Sequence, residues 1–296
     1  MTNIHSLMAT VDANTSLRSL KDHLNFAEEF ISYTGLCKAK TLTINQENLQ
    51  SLTIAINNNN YYFLQFPQSV NFALSRPIRK DLFLDLSEFS QHKDEFLQAL
   101  KNIRDIKGDL TLRGLVNSFI YTCQMSISCT LDAFGNPNKA RKKNGAYFEN
   151  LVREVVKTCG IENSHSVEKI RIDDSSSDHF SFEYDIVFQK EGNRTAIGQI
   201  KTSTKDHLDK IFLDKLFFQK CTKQDIPFIA IVLNDVQRSQ MKKVSSTFLP
   251  GHYRAYSVYL TPLSGVYYVD MASSAKSFKE SIHTLDQLLV EDMWNF

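Results

Sequence analysis

Four residues stand at a spacing that suits hydrolysis of a phosphodiester. They are Glu149, Asp185 36 positions later, Gln199 14 beyond that, and Lys201 two further on. A hard cation such as Mg²⁺ prefers oxygen ligands and keeps several waters, so the Asp185 carboxylate, the Gln199 amide oxygen and the backbone carbonyl of Ile200 offer half of its shell. Such an ion acidifies water and neutralises charge growing on the phosphoryl group. Lys201 adds a cation that orients or deprotonates the attacking water, or stabilises developing negative charge. Glu149 completes the metal shell or holds one of its waters.

The surrounding sequence supplies elements that position these groups. Residues 181–188 read as a strand with Phe182, Tyr184, Ile186 and Phe188 on one face and Ser181, Glu183, Asp185 and Val187 on the other. The turn at 189–194 returns the chain as a hairpin into a strand at 195–202. There Gln199 and Lys201 share one face, and Ala196, Gly198 and Ile200 the other. Asp185 therefore lies across the hairpin from the Gln–Lys pair. A helix at 147–158, with Phe148, Leu151, Val152, Val155 and Val156 on its apolar side, carries Glu149. A short strand is expected at 167–172. After the hairpin, Ser203 or Thr204 is expected to cap a helix running to about Lys220, and the apolar run 226–233 reads as a buried central strand.

Asp185 followed across a hairpin by Gln199-Ile200-Lys201, with the helix Asn144-Gly145-Ala146-Tyr147-Phe148-Glu149 ahead of it, resembles the PD-(D/E)XK nuclease superfamily in its variant with Gln for the middle acid. The likeness covers 142–233, and Tyr184 stands where the superfamily's name has Pro. It implies an α/β (α+β) restriction-endonuclease-like core with a mixed central sheet flanked by helices. The implied activity is that of a type II site-specific deoxyribonuclease, with Mg²⁺-dependent cleavage of both strands of double-stranded DNA that leaves 5′-phosphates. Asp185, Gln199, Lys201 and Glu149 would be catalytic; Asp185, Gln199, Ile200 and Glu149 would hold the metal, with Glu183 the alternative accessory acid. A homodimer would match two-fold symmetric DNA sites. A separate DNA methyltransferase would be the functional partner. Lys142, Lys143 and Asn144 before the helix, and Lys205 and Lys210 after the second strand, are candidate DNA-backbone contacts. Two other readings remain open: a repair, recombination or transposition nuclease of the same superfamily, and a non-catalytic DNA-binding protein on a decayed nuclease fold.

The whole chain has 296 residues, 42% hydrophobic and 23% charged, with a formal net charge of +1, which argues for a globular protein and against disorder or a generic polyanion-binding tail. Within 139–243, however, basic residues outnumber acidic ones 19 to 15. The loop Phe134-Gly135-Asn136-Pro137-Asn138 divides an N-terminal α+β region, 1–135, with a DNA-binding or dimerisation role, from a nuclease core with a C-terminal extension, 136–296. In the first region helical spacing recurs at Leu17, Leu20, Leu24, Phe26, Ala27, Phe30 and Ile31, at Phe89, Phe96, Leu97, Leu100 and Ile103, and over 112–131. The run 57–60 reads as a hairpin turn between strands in 41–56 and 61–66. No apolar stretch reaches the roughly 18 residues that cross a membrane, and the first residues lack a basic-then-apolar leader pattern, so a cytoplasmic protein is expected. Cys37, Cys123, Cys129, Cys159 and Cys221 have neither disulfide nor zinc-site spacing and are expected to be buried free thiols. His207 and His252 have no triad or metal partner in the sequence, and no GxxxxGK[ST] segment provides for an ATP-driven motor.

Overall fold

The computed structural model describes residues 4–13, 17–36, 61–64, 75–171, 178–205, 207–238 and 244–296. The helices are α1 (Ile4–Asp12), α2 (Leu20–Thr34), α3 (Leu86–Lys101), α4 (Leu110–Asp132), α5 (Pro137–Thr158), α6 (Leu208–Thr222), α7 (Pro250–Tyr259) and α8 (Leu285–Val290). The strands are β1 (Tyr61–Tyr62), β2 (Ile78–Arg79), β3 (Glu162–Arg171), β4 (His179–Lys190), β5 (Asn193–Lys201), β6 (Phe228–Asn234), β7 (Val236–Arg238), β8 (Val244–Ser246), β9 (Gly265–Asp270) and β10 (Ile282–Thr284).

Six strands form the central sheet in the order β10-β9-β6-β5-β4-β3. The meander β3–β4–β5 is antiparallel and β5, β6, β9 and β10 run parallel, so the sheet is mixed. Its middle explains the continuous apolar run in β6. Ile229, Ile231 and Leu233 join the core shared with α1 to α5 and α8, while Phe228, Ala230 and Val232 join a second core with α6 and α7. A strand covered on both faces has no polar side to display.

The first core is continuous from Ile4 to Met293, so residues on both sides of position 135 share it. Its axis is α4, in which every residue from Val116 to Leu131 is buried. Polar residues of that run bond within the helix or to its neighbours: Ser126 Oγ donates to Thr122 O and Thr130 Oγ1 to Ser126 O, each at 2.8 Å, and Asn117 Nδ2 donates to Asp286 Oδ1. Among the described residues no helix is long and apolar enough to cross a membrane.

Several local expectations shift. The helix expected at 147–158 begins ten residues earlier, because Asn136 caps it, its side chain accepting from Lys139 N, and Pro137 occupies the first turn, where a missing N–H has no helical partner to lose. Ser203 and Thr204 do not cap α6; His207 occupies the cap position without a side-chain bond. Instead Ser203 Oγ, Thr204 N and Thr204 Oγ1 donate to the fully buried Asp235 at 3.1, 2.7 and 2.7 Å, tying the end of β5 to the end of β6. The turn expected at 57–60 and the strand in 41–56 lie outside the described residues. In 61–66, Tyr61–Tyr62 pairs antiparallel with Ile78–Arg79. Cys123, Cys129 and Cys159 are buried free thiols as expected, Cys221 at the end of α6 is exposed instead, and Cys37 lies outside the described residues.

Candidate active site

The alternation expected along β4 breaks at the aspartate. Ser164 pairs with Val187 but Ser166 pairs with Tyr184, so β4 carries one residue more than β3 across this interval. This is a β-bulge. As a result Phe182 and Tyr184 enter the α6–α7 core, whereas Ile186 and Phe188 enter the opposite one. The described β4–β5 pairing runs only from Lys190↔Asn193 to Ile186↔Gly198. Beyond that point side chains replace the ladder. Ile200 N donates to Asp185 Oδ2 at 2.8 Å, and Gln199 Nε2 donates to Glu183 O at 2.7 Å.

Lys201, at the end of β5, completes the cluster. Its Nζ donates to Asp185 Oδ2 at 2.5 Å and to Gln199 Oε1 at 2.7 Å. Asp185 and Gln199 are buried and Lys201 is about one-fifth exposed. The structure thus brings Asp185, Gln199 and Lys201 into direct contact at the C-terminal end of a parallel strand.

Glu149 approaches from α5. Burial, reinforced by the negative charge of Asp185, pushes its carboxyl up to about 7, while Lys201 and Arg153 pull it down. Arg153, one turn further along α5, lies 3.9 Å from the Glu149 carboxylate and donates from Nη1 to Asp185 O at 2.9 Å. It links the helix to the bulged residue. Glu183 turns away: it is exposed, and its carboxylate meets His165 Nε2 at 3.1 Å. Of the two candidate accessory acids, Glu149 is therefore the one coupled to the cluster. Asp214 lies on α6, where burial raises its pKa against the lowering effect of Lys210; the charges of Lys201 and Asp185 act on it more weakly.

The oxygen-only donor set of Asp185, Gln199, the Ile200 carbonyl and Glu149 suits a hard cation such as Mg²⁺. Oxygens of Asp185 and Gln199 already bind a cation, the Lys201 ammonium. Among the described residues no three His, Cys, Asp or Glu side chains form a metal-holding group, so the amide and carbonyl oxygens are needed to make up a shell.

The outlying candidates are dispersed. Asn144 is buried between α4 and α5, its Oδ1 accepting from Gln124 Nε2 at 3.0 Å and Ser128 Oγ at 2.6 Å, so it faces the core and not solvent. Lys143 donates to Asp12 O at 2.8 Å and so anchors the end of α1. Lys142, Lys205 and Lys210 are exposed, with Lys205 donating to Gln237 Oε1 at 2.9 Å.

The chain matches no protein-family model and no curated protein. Among solved structures, the type IIP restriction endonuclease Kpn2I is similar with a TM-score of 0.64 and 21% identity, over 94% of this chain and 97% of that one. Restriction endonuclease PspGI in complex with substrate DNA is similar at a TM-score of 0.43 and 9% identity, over 68% of this chain and 91% of that one. The Kpn2I likeness extends beyond the sheet to nearly the full length of both chains. The protein has the fold of a type II restriction endonuclease.

Proposed function

We propose that this protein is a site-specific endodeoxyribonuclease that hydrolyses phosphodiester bonds of double-stranded DNA with Mg²⁺, in the manner of a type II restriction enzyme. The observation that carries the reading is the contact of Lys201 with Asp185 and Gln199 beside the bulge in β4. A bulge beside a charged cluster re-aims a side chain for a purpose that straight pairing does not serve. The fold agrees with this reading.

Asp185, Gln199, the Ile200 carbonyl and Glu149 would hold the ion. When bound, Mg²⁺ supplies Lewis-acid chemistry, acidifying water and neutralising charge on the phosphoryl group. Lys201 donates hydrogen bonds to the oxyanion that grows in the transition state, or orients the attacking water. Glu149 would complete the shell of the ion or hold one of its waters. Arg153 holds both Glu149 and the backbone of Asp185 and so keeps the two carboxylates in register. Lys142, Lys205 and Lys210 contact DNA phosphates. The working form is a homodimer, one subunit to each strand, in the cytoplasm beside a DNA methyltransferase that protects the cell's own sites.

The test is incubation of the full chain with plasmid DNA and Mg²⁺, followed by gel analysis. Discrete fragments that disappear in EDTA are expected. Full cleavage in the chelator overturns the metal-assisted mechanism, and an inert, non-binding protein overturns the nuclease reading.

A further inference from the structure

On the other side of β6 from the Asp185 cluster, β6 and β9 end level with each other, Asn234 pairing with Asp270. A cavity of about 280 Å³ lies there, with Tyr61, Arg79, Ser245, Ser246, Asp270 and Lys276 in its wall. Because β5, β6 and β9 are parallel, it opens at the same end of the sheet as Lys201. Lys201 is level with Val232 and Tyr268, two residues short of Asp270. Two strand spacings of about 4.8 Å and two rises of about 3.3 Å put the cavity roughly 12 Å from the cluster, or about three to four base-pair steps of about 3.4 Å.

Two polar groups in this wall have capacity that the protein leaves unused. Arg79 Nη1 donates to Asp270 Oδ1 at 2.6 Å and Nε lies 3.4 Å from Asp81 Oδ2, while Nη2 has no partner among the described residues. Asp270 is only 2% exposed, and its Oδ2 also has no partner among the described residues. Leaving a buried carboxylate oxygen unpaired is unfavourable unless a ligand supplies the donor. The ligand must therefore donate one hydrogen bond and accept another side by side. A phosphate, which only accepts and is repelled by Asp270, does not meet that requirement. The major-groove edge of a G·C pair does: guanine presents O6 and N7 as acceptors next to the N4 amino donor of cytosine.

We infer that this cavity is a base-reading pocket in which Arg79 donates to guanine and Asp270 accepts from cytosine of one G·C pair in the DNA site. The pocket rests on the nuclease reading and adds to it the two residues that determine sequence at one position.

The experiment uses a duplex oligonucleotide carrying the site mapped from plasmid fragments, with each guanine replaced in turn by 7-deazaguanine, which lacks the N7 acceptor. At one position the parent protein should lose roughly 5- to 150-fold in cleavage efficiency, the range of a good bidentate base contact. Arg79→Ala should show a similar loss on the natural duplex and no further loss on the duplex modified at that position. Arg79→Lys, which keeps the charge and loses the fork, should behave likewise, and Asp270→Asn should weaken discrimination at that position alone. Losses that add, losses spread evenly over all positions, or a site in which no guanine is sensitive would overturn the pocket while leaving the nuclease intact. A parent protein that neither binds nor cuts DNA overturns both.

Discussion

Lys201 contacts Asp185 and Gln199 at once, so its removal tests the chemistry more directly than removal of either partner. Asp185→Ala also withdraws the acceptor of the Ile200 N–H and so disturbs the strand itself. Lys201→Ala leaves that bond in place and should lower single-turnover cleavage by about 10²- to 10⁴-fold, the usual range for one proton-transfer or charge-stabilising group. DNA binding should change little, since one cation among several phosphate contacts shifts affinity modestly. Cleavage at the parental rate would make Gln199-Ile200-Lys201 an ordinary strand end. The Asp185, Gln199 and Lys201 grouping was legible in the sequence because a short hairpin sets the ends of β4 and β5 side by side, even though the bulge replaces the expected alternation at Asp185. Arg153 was not: a charged residue on a half-exposed helix has no local signature, and only the packing of α5 against the strand ends gives it a role.

Gly198 shows the same dependence on packing in β5. A Cβ there would lie 2.8 Å from Ile229 Cγ1, 3.1 Å from Ile229 O and 3.2 Å from Ile186 Cγ2. Since neighbouring β4 and β6 are both hydrogen-bonded to this strand, the crowded atoms cannot simply retreat. Gly198→Ala should destabilise the protein by about 1–3 kcal/mol, read from chemical denaturation, and the loss should be larger for Gly198→Val. In α2 the sensitive residue is His23, fully buried, with Nδ1 2.9 Å from Ser19 O. Burial lowers its pKa, so the unfolded chain takes up a proton that the folded chain refuses. Its stability contribution is intact above the unfolded pKa of about 6.5 and is lost as pH falls below it, by up to about 1.4 kcal/mol per pH unit. His23→Gln should flatten the fall in melting temperature between pH 7 and pH 5; an unchanged slope would clear His23 of the effect. The periodicity of α2 and α3 is readable from their apolar spacing alone. The true start of α5 was hidden because Asn136-Pro137 spells a loop and a helix cap with the same letters. The bulge in β4 was hidden because one extra residue on one strand leaves no trace in composition.

For the molecule as a whole, α4 decides which parts depend on one another. It packs against α1, α2, α3, α5 and α8 and against β9 of the sheet. A chain cut to 136–296 would lose that helix and expose the face of α5 and of the sheet that it covers. Such a fragment should show no cooperative thermal transition and should bind a hydrophobic dye, whereas the full chain melts in one step; a cooperative melt of the fragment would make the core separable. Composition indicated a globular chain and the apolar run in β6 indicated a doubly covered sheet. The sharing of one core across the Gly135 loop depends on long-range contacts that no local pattern records.

The bulge at Asp185 also divides β4 by rigidity. From Ile186 onward the strand is bonded to both β3 and β5, but from His179 to Tyr184 its described pairing is with β3 alone. Amide protons on the two sides of the aspartate therefore have different numbers of neighbours to free them from, and protection from solvent exchange should step down at this residue. Asp185 thus marks the point where the backbone ladder to β5 gives way to side-chain bonds, and beyond it Phe182 and Tyr184 hold β4 to the α6–α7 core instead.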